Sequence, residues 1–199
     1  MRLPLALLLA AGRGARFDAS GRSLKQLAPA PAGDHAGQPM ALAATLALRA
    51  AGLEVLAVVR PASGPHQPEL HALLRQAGCA LVENPAAESG IGSSIACGVA
   101  AVASPGGWLI ALADMPAIRP QSIAAVAQAL VAGAPSAAPE FHGQRGHPVG
   151  FAAQLRDELL ALRGDSGARS VLAAHPPQLI QVEDAGVLID IDSPCAPLS

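Results

Sequence analysis

The feature that most constrains the fold is a continuous apolar run, Leu3 to Leu9, that breaks abruptly into Ala10-Ala11-Gly12-Arg13-Gly14-Ala15-Arg16. A strand without polar alternation has to be buried on both faces, as in a parallel sheet covered by helices on both sides. The break then lies at the carboxyl end of a central strand, where open α/β sheets bind their ligands. Small residues there let backbone N–H groups come close to an anion. Arg13 and Arg16 place positive charge beside those donors, and Lys25 can reach back from the following loop. A triphosphate, with about four negative charges near neutral pH, matches such a donor set.

The rest of the chain repeats the alternation of strand and helix. Strands are expected at Leu53 to Val59, Cys79 to Val82, Trp108 to Ala113, Ser136 to Pro139, Pro148 to Phe151, Leu179 to Val182 and Val187 to Ile191. Helices are expected at Pro39 to Ala51, Pro68 to Ala77, Ser93 to Ala103, Pro120 to Val131, Gln154 to Leu162 and Ser166 to Ala174. Ser93 and Ser94 are candidate N-caps, and Pro120 suits a first helical position. Asp18 to Gln38 is too broken for an element and too long for a simple connection, which marks it as functional or mobile. The pattern predicts one α/β domain over residues 1–199, with a three-layer Rossmann-like build around a mixed, mainly parallel sheet.

Composition narrows the function classes. With 199 residues the chain can bury a core in one domain. Aromatics are 2% and tyrosine is missing, so platforms for stacking bases are scarce, and a net charge of −2 offers nothing to nucleic acid or an anionic membrane. The 3 cysteines, Cys79, Cys97 and Cys195, form no CxxC pattern, which disfavours a zinc site or a disulfide framework. The amino-terminal apolar run is too short for a membrane span and ends in the glycine turn rather than a cleavage site. A cytoplasmic enzyme is the expectation.

Three phosphate motifs compete for the turn. The GxxxxGK[ST] string of a P-loop is missing. A dinucleotide fingerprint would need a glycine where Phe17 stands and an acid where the second strand ends in Val59-Arg60. An AAGxGxR turn followed by a lysine matches. Asp114, after a buried strand, is placed to hold a hard cation over phosphates. Asp190 and Asp192 alternate in a strand-like segment, and either can supply a second carboxylate. Asn84, Gly90, Ser93 and Ser94 belong to a polar loop that can read a base or ribose, or simply cap a helix. The loops at Arg145-Gly146-His147-Pro148 and Gly164-Asp165-Ser166-Gly167-Ala168-Arg169 form a second anion-binding face, the latter through a helix starting near Ser166. For His147 alone a packed or surface histidine is a better reading than a catalytic one.

Taken in order along the chain, these strings resemble the MobA-like nucleotidyltransferases, and most closely the molybdenum cofactor cytidylyltransferases. The matching strings are Leu9 to Phe17, Lys25, Gly90 with Ser93-Ser94, Ala113-Asp114-Met115-Pro116, Arg145 to Pro148, Gly164 to Arg169 and Asp190-Ile191-Asp192-Ser193-Pro194. The resemblance implies Mg²⁺ and transfer of a nucleotidyl group from a nucleoside triphosphate to the terminal phosphate of molybdopterin, with release of pyrophosphate. It implies Asp114 and Asp192 as metal ligands. Ala10, Ala11, Gly12, Arg13, Gly14, Arg16 and Lys25 would hold the triphosphate, with Asp114, Arg16 and Lys25 the catalytic set. Arg145, His147, Asp165 and Arg169 would face the acceptor. Alanine at position 11, where the guanylyl branch tends to carry glycine, points to CTP. A molybdoenzyme or its chaperone is the protein partner this implies. Two departures stand out: Ala28 to Gln38 is longer and richer in proline than the family's usual loop, and the chain ends soon after Pro194. Rival readings are a guanylyltransferase, a nucleotidyltransferase for another phosphorylated acceptor, and a non-catalytic binding protein on the same fold.

Overall fold

A computed structural model describes residues 2–14, 17–18, 23–104 and 106–191. Along the chain run β1 (Leu5–Leu9), α1 (Met40–Ala50), β2 (Val55–Val59), α2 (Gln67–Gln76), β3 (Ala80–Glu83), α3 (Ile91–Ala101) and β4 (Trp108–Leu112). There follow α4 (Pro120–Val131), β5 (Ser136–Phe141), β6 (Gln144–Arg145), β7 (Val149–Phe151), α5 (Arg156–Leu160), α6 (Arg169–Ala174) and β8 (Gln178–Gln181).

The strands form one mixed, mainly parallel sheet of 8 strands whose path is β3-β2-β1-β4-β7-β5-β6, with β8 also on β5. β1 pairs in parallel with β2 and with β4, and β2 with β3. At β7 the direction reverses: β7 is antiparallel to both β4 and β5. Ala137 pairs with Gly150 of β7 and Gln178 of β8, and Glu140 with Arg145 of β6 and Gln181 of β8. A strand residue has one neighbour per side, so β8 flanks β5 opposite β6 and β7.

Successive side chains of a strand point to opposite faces, and the core divides accordingly. Ala6 and Leu8, Val55 and Ala57, and Leu109 and Ala111 pack with α1, α2 and α4 through Leu48, Leu74 and Val126. Leu7, Leu56, Val58, Trp108 and Ile110 pack with α3, α5 and α6 through Val99, Leu159 and Val171. Burying each Val, Leu or Ile side chain among these stabilises the fold by about 1.5–3 kcal/mol. This is the three-layer α/β arrangement expected from the continuous apolar run.

Several expectations change. The α3 helix starts at Ile91 with Gly90 as its cap, at φ 99°, so Ser93 and Ser94 lie inside its first turns instead of capping it. The segment expected as a strand from Val187 to Ile191 is instead a 3-10 turn at Ala185–Leu188, capped by Asp184. Asp190 therefore lies outside any strand, and Asp192 lies outside the described residues. The α6 helix starts at Arg169, not near Ser166, and is 6 residues long. The loop expected between β5 and β7 contains β6, which makes it a hairpin. The long irregular segment contains a 3-10 turn, Lys25–Leu27, in which Lys25 and Gln26 are buried.

Candidate functional site

The carboxyl ends of the four parallel strands converge on a cavity of about 420 Å³. Lining residues follow each strand: the glycine turn after β1, Arg60 after β2, Ala87 and Glu88 after β3 and Asp114 after β4. Of the residues expected to bind the nucleotide, Ala11, Gly12, Arg13, Gly90 and Ser94 line the cavity, as does Asp114. Ala10 is buried beneath the turn, and Arg16 lies outside the described residues.

Lys25 and Asp114, expected together, meet: Lys25 Nζ donates to Asp114 Oδ2 at 2.8 Å. The lysine side chain is only 7% exposed, so the ammonium depends on this partner, whereas the carboxylate is 30% exposed and open to the cavity. Asp190 reaches the same wall, and the segment carrying it is tied to Asp114 by Ile191 N–H donating to the Asp114 carbonyl at 3.0 Å. Among the described lining residues, Glu88, Asp114, Asp165 and Asp190 are set against two guanidinium groups, Arg13 and Arg60. An acid-rich wall repels a polyanion unless a cation joins them. Carboxylate oxygens are the donors a hard divalent cation takes, and an ammonium already sits against Asp114. Asp114 and Asp190 in this wall are of the donor type a divalent metal takes, while among the described residues no group of three or more His, Cys, Asp or Glu side chains is placed to hold one.

The glycine turn is held by side chains that the sequence reading passed over. Gln26 Nε2 donates to the carbonyls of Gly12 at 2.8 Å and Ala10 at 3.3 Å. Arg60 Nε donates to the Ala11 carbonyl at 2.8 Å. Glu88 accepts from Arg13 at 2.8 Å and from Arg60 at 2.5 Å. Chiefly through the Arg60 hydrogen bond, its carboxyl is held below the usual carboxylate range. The signal for Arg60 was available: it follows a parallel strand directly, as the glycine turn follows β1. Gln26 had no comparable signal beyond adjoining Lys25.

Asn84 is 3% exposed, and its polar atoms serve the loop. Its amide donates to the hydroxyls of Ser93 and Ser94 at 3.0 and 3.1 Å, and its side-chain oxygen accepts from Ala86 N–H. Ser93 in turn donates to Ala86 or Gly90 carbonyls. The start of α3 rests on the loop before α6: Gly92 N–H donates to the Gly164 carbonyl at 2.9 Å. A β-carbon on Gly90 would meet Asp165 Oδ1 and the Gly164 backbone, so only glycine lets the two loops touch.

Arg145, His147, Asp165 and Arg169, expected to face the acceptor, all line a second cavity of about 270 Å³. Its floor is apolar, with Ile95, Ile110, Val149 and Phe151, and it shares Ile91, Leu112 and Asp165 with the first. His147 Nδ1 is buried without a hydrogen-bond partner. Burial, then the charge of Arg145, push the His147 imidazole below its ordinary value, while Asp114 and Asp190 pull it partly back. A neutral ring facing the cavity keeps both its donor and its acceptor character.

The model of the MobA-like NTP transferase domain matches residues 6–179. The chain belongs to this family. No curated protein matches it by sequence. Among solved structures, Rv0371c from Mycobacterium tuberculosis H37Rv is similar at 23% identity and TM-score 0.74, over 96% of this chain and 94% of that one. A nucleotidyl transferase from Methanothermobacter thermautotroptrophicus is similar at 20% identity and TM-score 0.76, over 97% and 93%. The 4-diphosphocytidyl-2C-methyl-D-erythritol synthase from Anaerococcus prevotii is similar at 12% and TM-score 0.67, over 96% and 93%. A second Rv0371c structure is a complex with manganese. The protein is a nucleotidyltransferase with a nucleoside triphosphate substrate, and among its described residues no helix is long and apolar enough to cross a membrane.

Proposed function

We propose that this member of the MobA-like family transfers CMP from CTP to the terminal phosphate of molybdopterin, with Mg²⁺, and releases pyrophosphate. The observation that carries the reading is the pair of adjoining cavities. One holds the glycine turn and Asp114; the other gathers Arg145, His147, Asp165 and Arg169. A phosphorylated acceptor that is already ionised needs no protein base. What the chain supplies is placement and charge: the turn and Lys25 hold the triphosphate, and Arg145 and Arg169 hold the incoming phosphate. Mg²⁺ on Asp114, with Asp192 or Asp190, would neutralise charge on the phosphates. Arg16 and Lys25 offset the negative charge that builds on the departing pyrophosphate. Alanine at position 11 supports CTP over GTP. Molybdopterin is supported by the Arg145 to Pro148 string and by the apolar floor of the second cavity, which suits a flat ring carrying one phosphate. A molybdoenzyme or its chaperone would receive the product.

The test is pyrophosphate release with CTP or GTP and Mg²⁺, with and without molybdopterin. Release with CTP that depends on molybdopterin is the expected result. Preference for GTP makes the protein a guanylyltransferase, and release with a different phosphorylated acceptor alone removes molybdopterin. Release with neither nucleotide leaves a binding protein.

A further inference from the structure

The cavity has two facing walls on different parts of the chain: the glycine turn, and the loop that leads into α3. Arg60 touches both. Its Nε donates to the Ala11 carbonyl at 2.8 Å, and its Nη1 donates to Glu88 in the opposite loop at 2.5 Å. Glu88 returns to the turn by accepting from Arg13 Nε at 2.8 Å. The Arg60 main chain is fixed from behind, since its carbonyl is 2.8 Å from Nε2 of the buried His71 in α2. A guanidinium offers N–H groups in a rigid fork, so one side chain can hold two partners at a set separation. An ammonium in its place has three donors on a single nitrogen and lacks that fixed spacing.

We propose that Arg60 is the positioning residue of the nucleotide cavity, a brace that sets the glycine turn at a fixed distance from the loop before α3 and so prearranges the turn's N–H groups for the triphosphate. This rests on reading the cavity as the nucleotide site. The peptide group is planar, so pinning the Ala11 carbonyl fixes the direction of the Gly12 N–H. Gln26 does the same for the next peptide from the other partner side, through the Gly12 carbonyl. Glu88 is half exposed, and its part is to hold the two guanidinium groups together.

Three variants test this: Arg60→Lys, Arg60→Ala and Glu88→Gln. In the nucleotide-free protein, hydrogen exchange at Gly12, Arg13 and Gly14 is expected to quicken by about tenfold in both Arg60 variants, the effect of losing a charge-assisted hydrogen bond. With Mg²⁺ and CTP or GTP as probes, Kd and KM for the nucleotide are expected to rise by about tenfold in Arg60→Lys, with kcat within about twofold of wild type. Glu88→Gln is expected to weaken nucleotide binding in the same direction by less. Full rescue by lysine would show that only the charge matters and overturns the brace. Tighter nucleotide binding by Glu88→Gln overturns it too, because Glu88 would then be competing with the phosphates. A wild-type protein that binds neither nucleotide refutes the nucleotide reading, while unchanged exchange in ligand-free Arg60→Lys refutes the brace by itself.

Discussion

The two cavities share Ile91, Leu112 and Asp165, yet they are built differently. The first sits where parallel strands end, and its groups come from the residues just past β1, β2, β3 and β4. The second is walled by the segment that runs from β6 of the β5–β6 hairpin through Gly146 and His147 into β7, and by the loop before α6, over an apolar floor. Parallel strands all present their carboxyl ends on one side, so one sheet edge collects charge from four separate points of the chain. A hairpin presents both its ends locally, and contributes a surface rather than a point of convergence. The proposed function accordingly puts reaction chemistry in the first cavity and choice of acceptor in the second.

The largest effect expected is Asp114→Asn. Loss of this carboxylate should lower kcat for pyrophosphate release by about a thousandfold or more with the circular dichroism spectrum unchanged. Near-normal turnover would break the assignment of chemistry to the parallel half. Lys25→Met comes next. It leaves Asp114 without its ammonium partner, and kcat/KM should fall by about a hundredfold, seen equally with every acceptor. Gly90→Ala acts on the join between the cavities. The positive φ and the encounter with Asp165 should cost about 1–3 kcal/mol in urea denaturation and raise KM for both substrates. An effect on one substrate alone would show that the two sites are less connected than their shared wall implies. Arg169→Ala should raise KM for the acceptor by about tenfold and leave KM for the nucleotide alone, which steady-state titration of each substrate can separate.

The smallest effect concerns His147. Burial holds its folded-state value below the ordinary 6.5. As pH falls past that ordinary value the unfolded chain takes up a proton that the folded chain refuses. Stability tied to the neutral ring is therefore complete above about pH 6.5 and is lost as pH drops through the lowered folded value. Urea midpoints at about pH 7.5 and about pH 5.5 should differ more in the wild type than in His147→Gln. Equal slopes would place His147 in water rather than in the second cavity.

Much of this was legible in the chain. The run Leu3 to Leu9 announced a strand buried on both faces, and β1 is that strand. Pro120 marked the start of α4 to the residue. Arg145, His147, Asp165 and Arg169 were grouped by their motifs and do line one cavity. What sequence did not reveal depends on partners far away in the chain. Asn84 reads as a surface polar residue until Ser93 and Ser94 fold back onto its amide. Asp184 looks like a tail acid, but it is buried and accepts from Arg119 N–H and Ser122 Oγ at the start of α4. The stretch Val187 to Ile191 alternates as a strand does. Val187 nevertheless packs into the core while its carbonyl accepts from His147 N–H, and no neighbouring strand takes up a ladder. Local pattern predicts elements well; it cannot predict which carbonyl a distant glutamine or arginine will hold.

The junction between β4 and β7 has a consequence for how such proteins diversify. Only Trp108, Leu109 and Ile110 are in register with β7, and of these three Ile110 also contributes to the floor of the second cavity. In the proposed function the groups that face the acceptor, Arg145, His147, Asp165 and Arg169, lie beyond that short seam. A lineage could therefore reshape the β6–β7 segment and the loop before α6, and so adopt a new cargo, while inheriting the activating machinery unaltered. Grafting those two segments from a relative is the laboratory form of the same event.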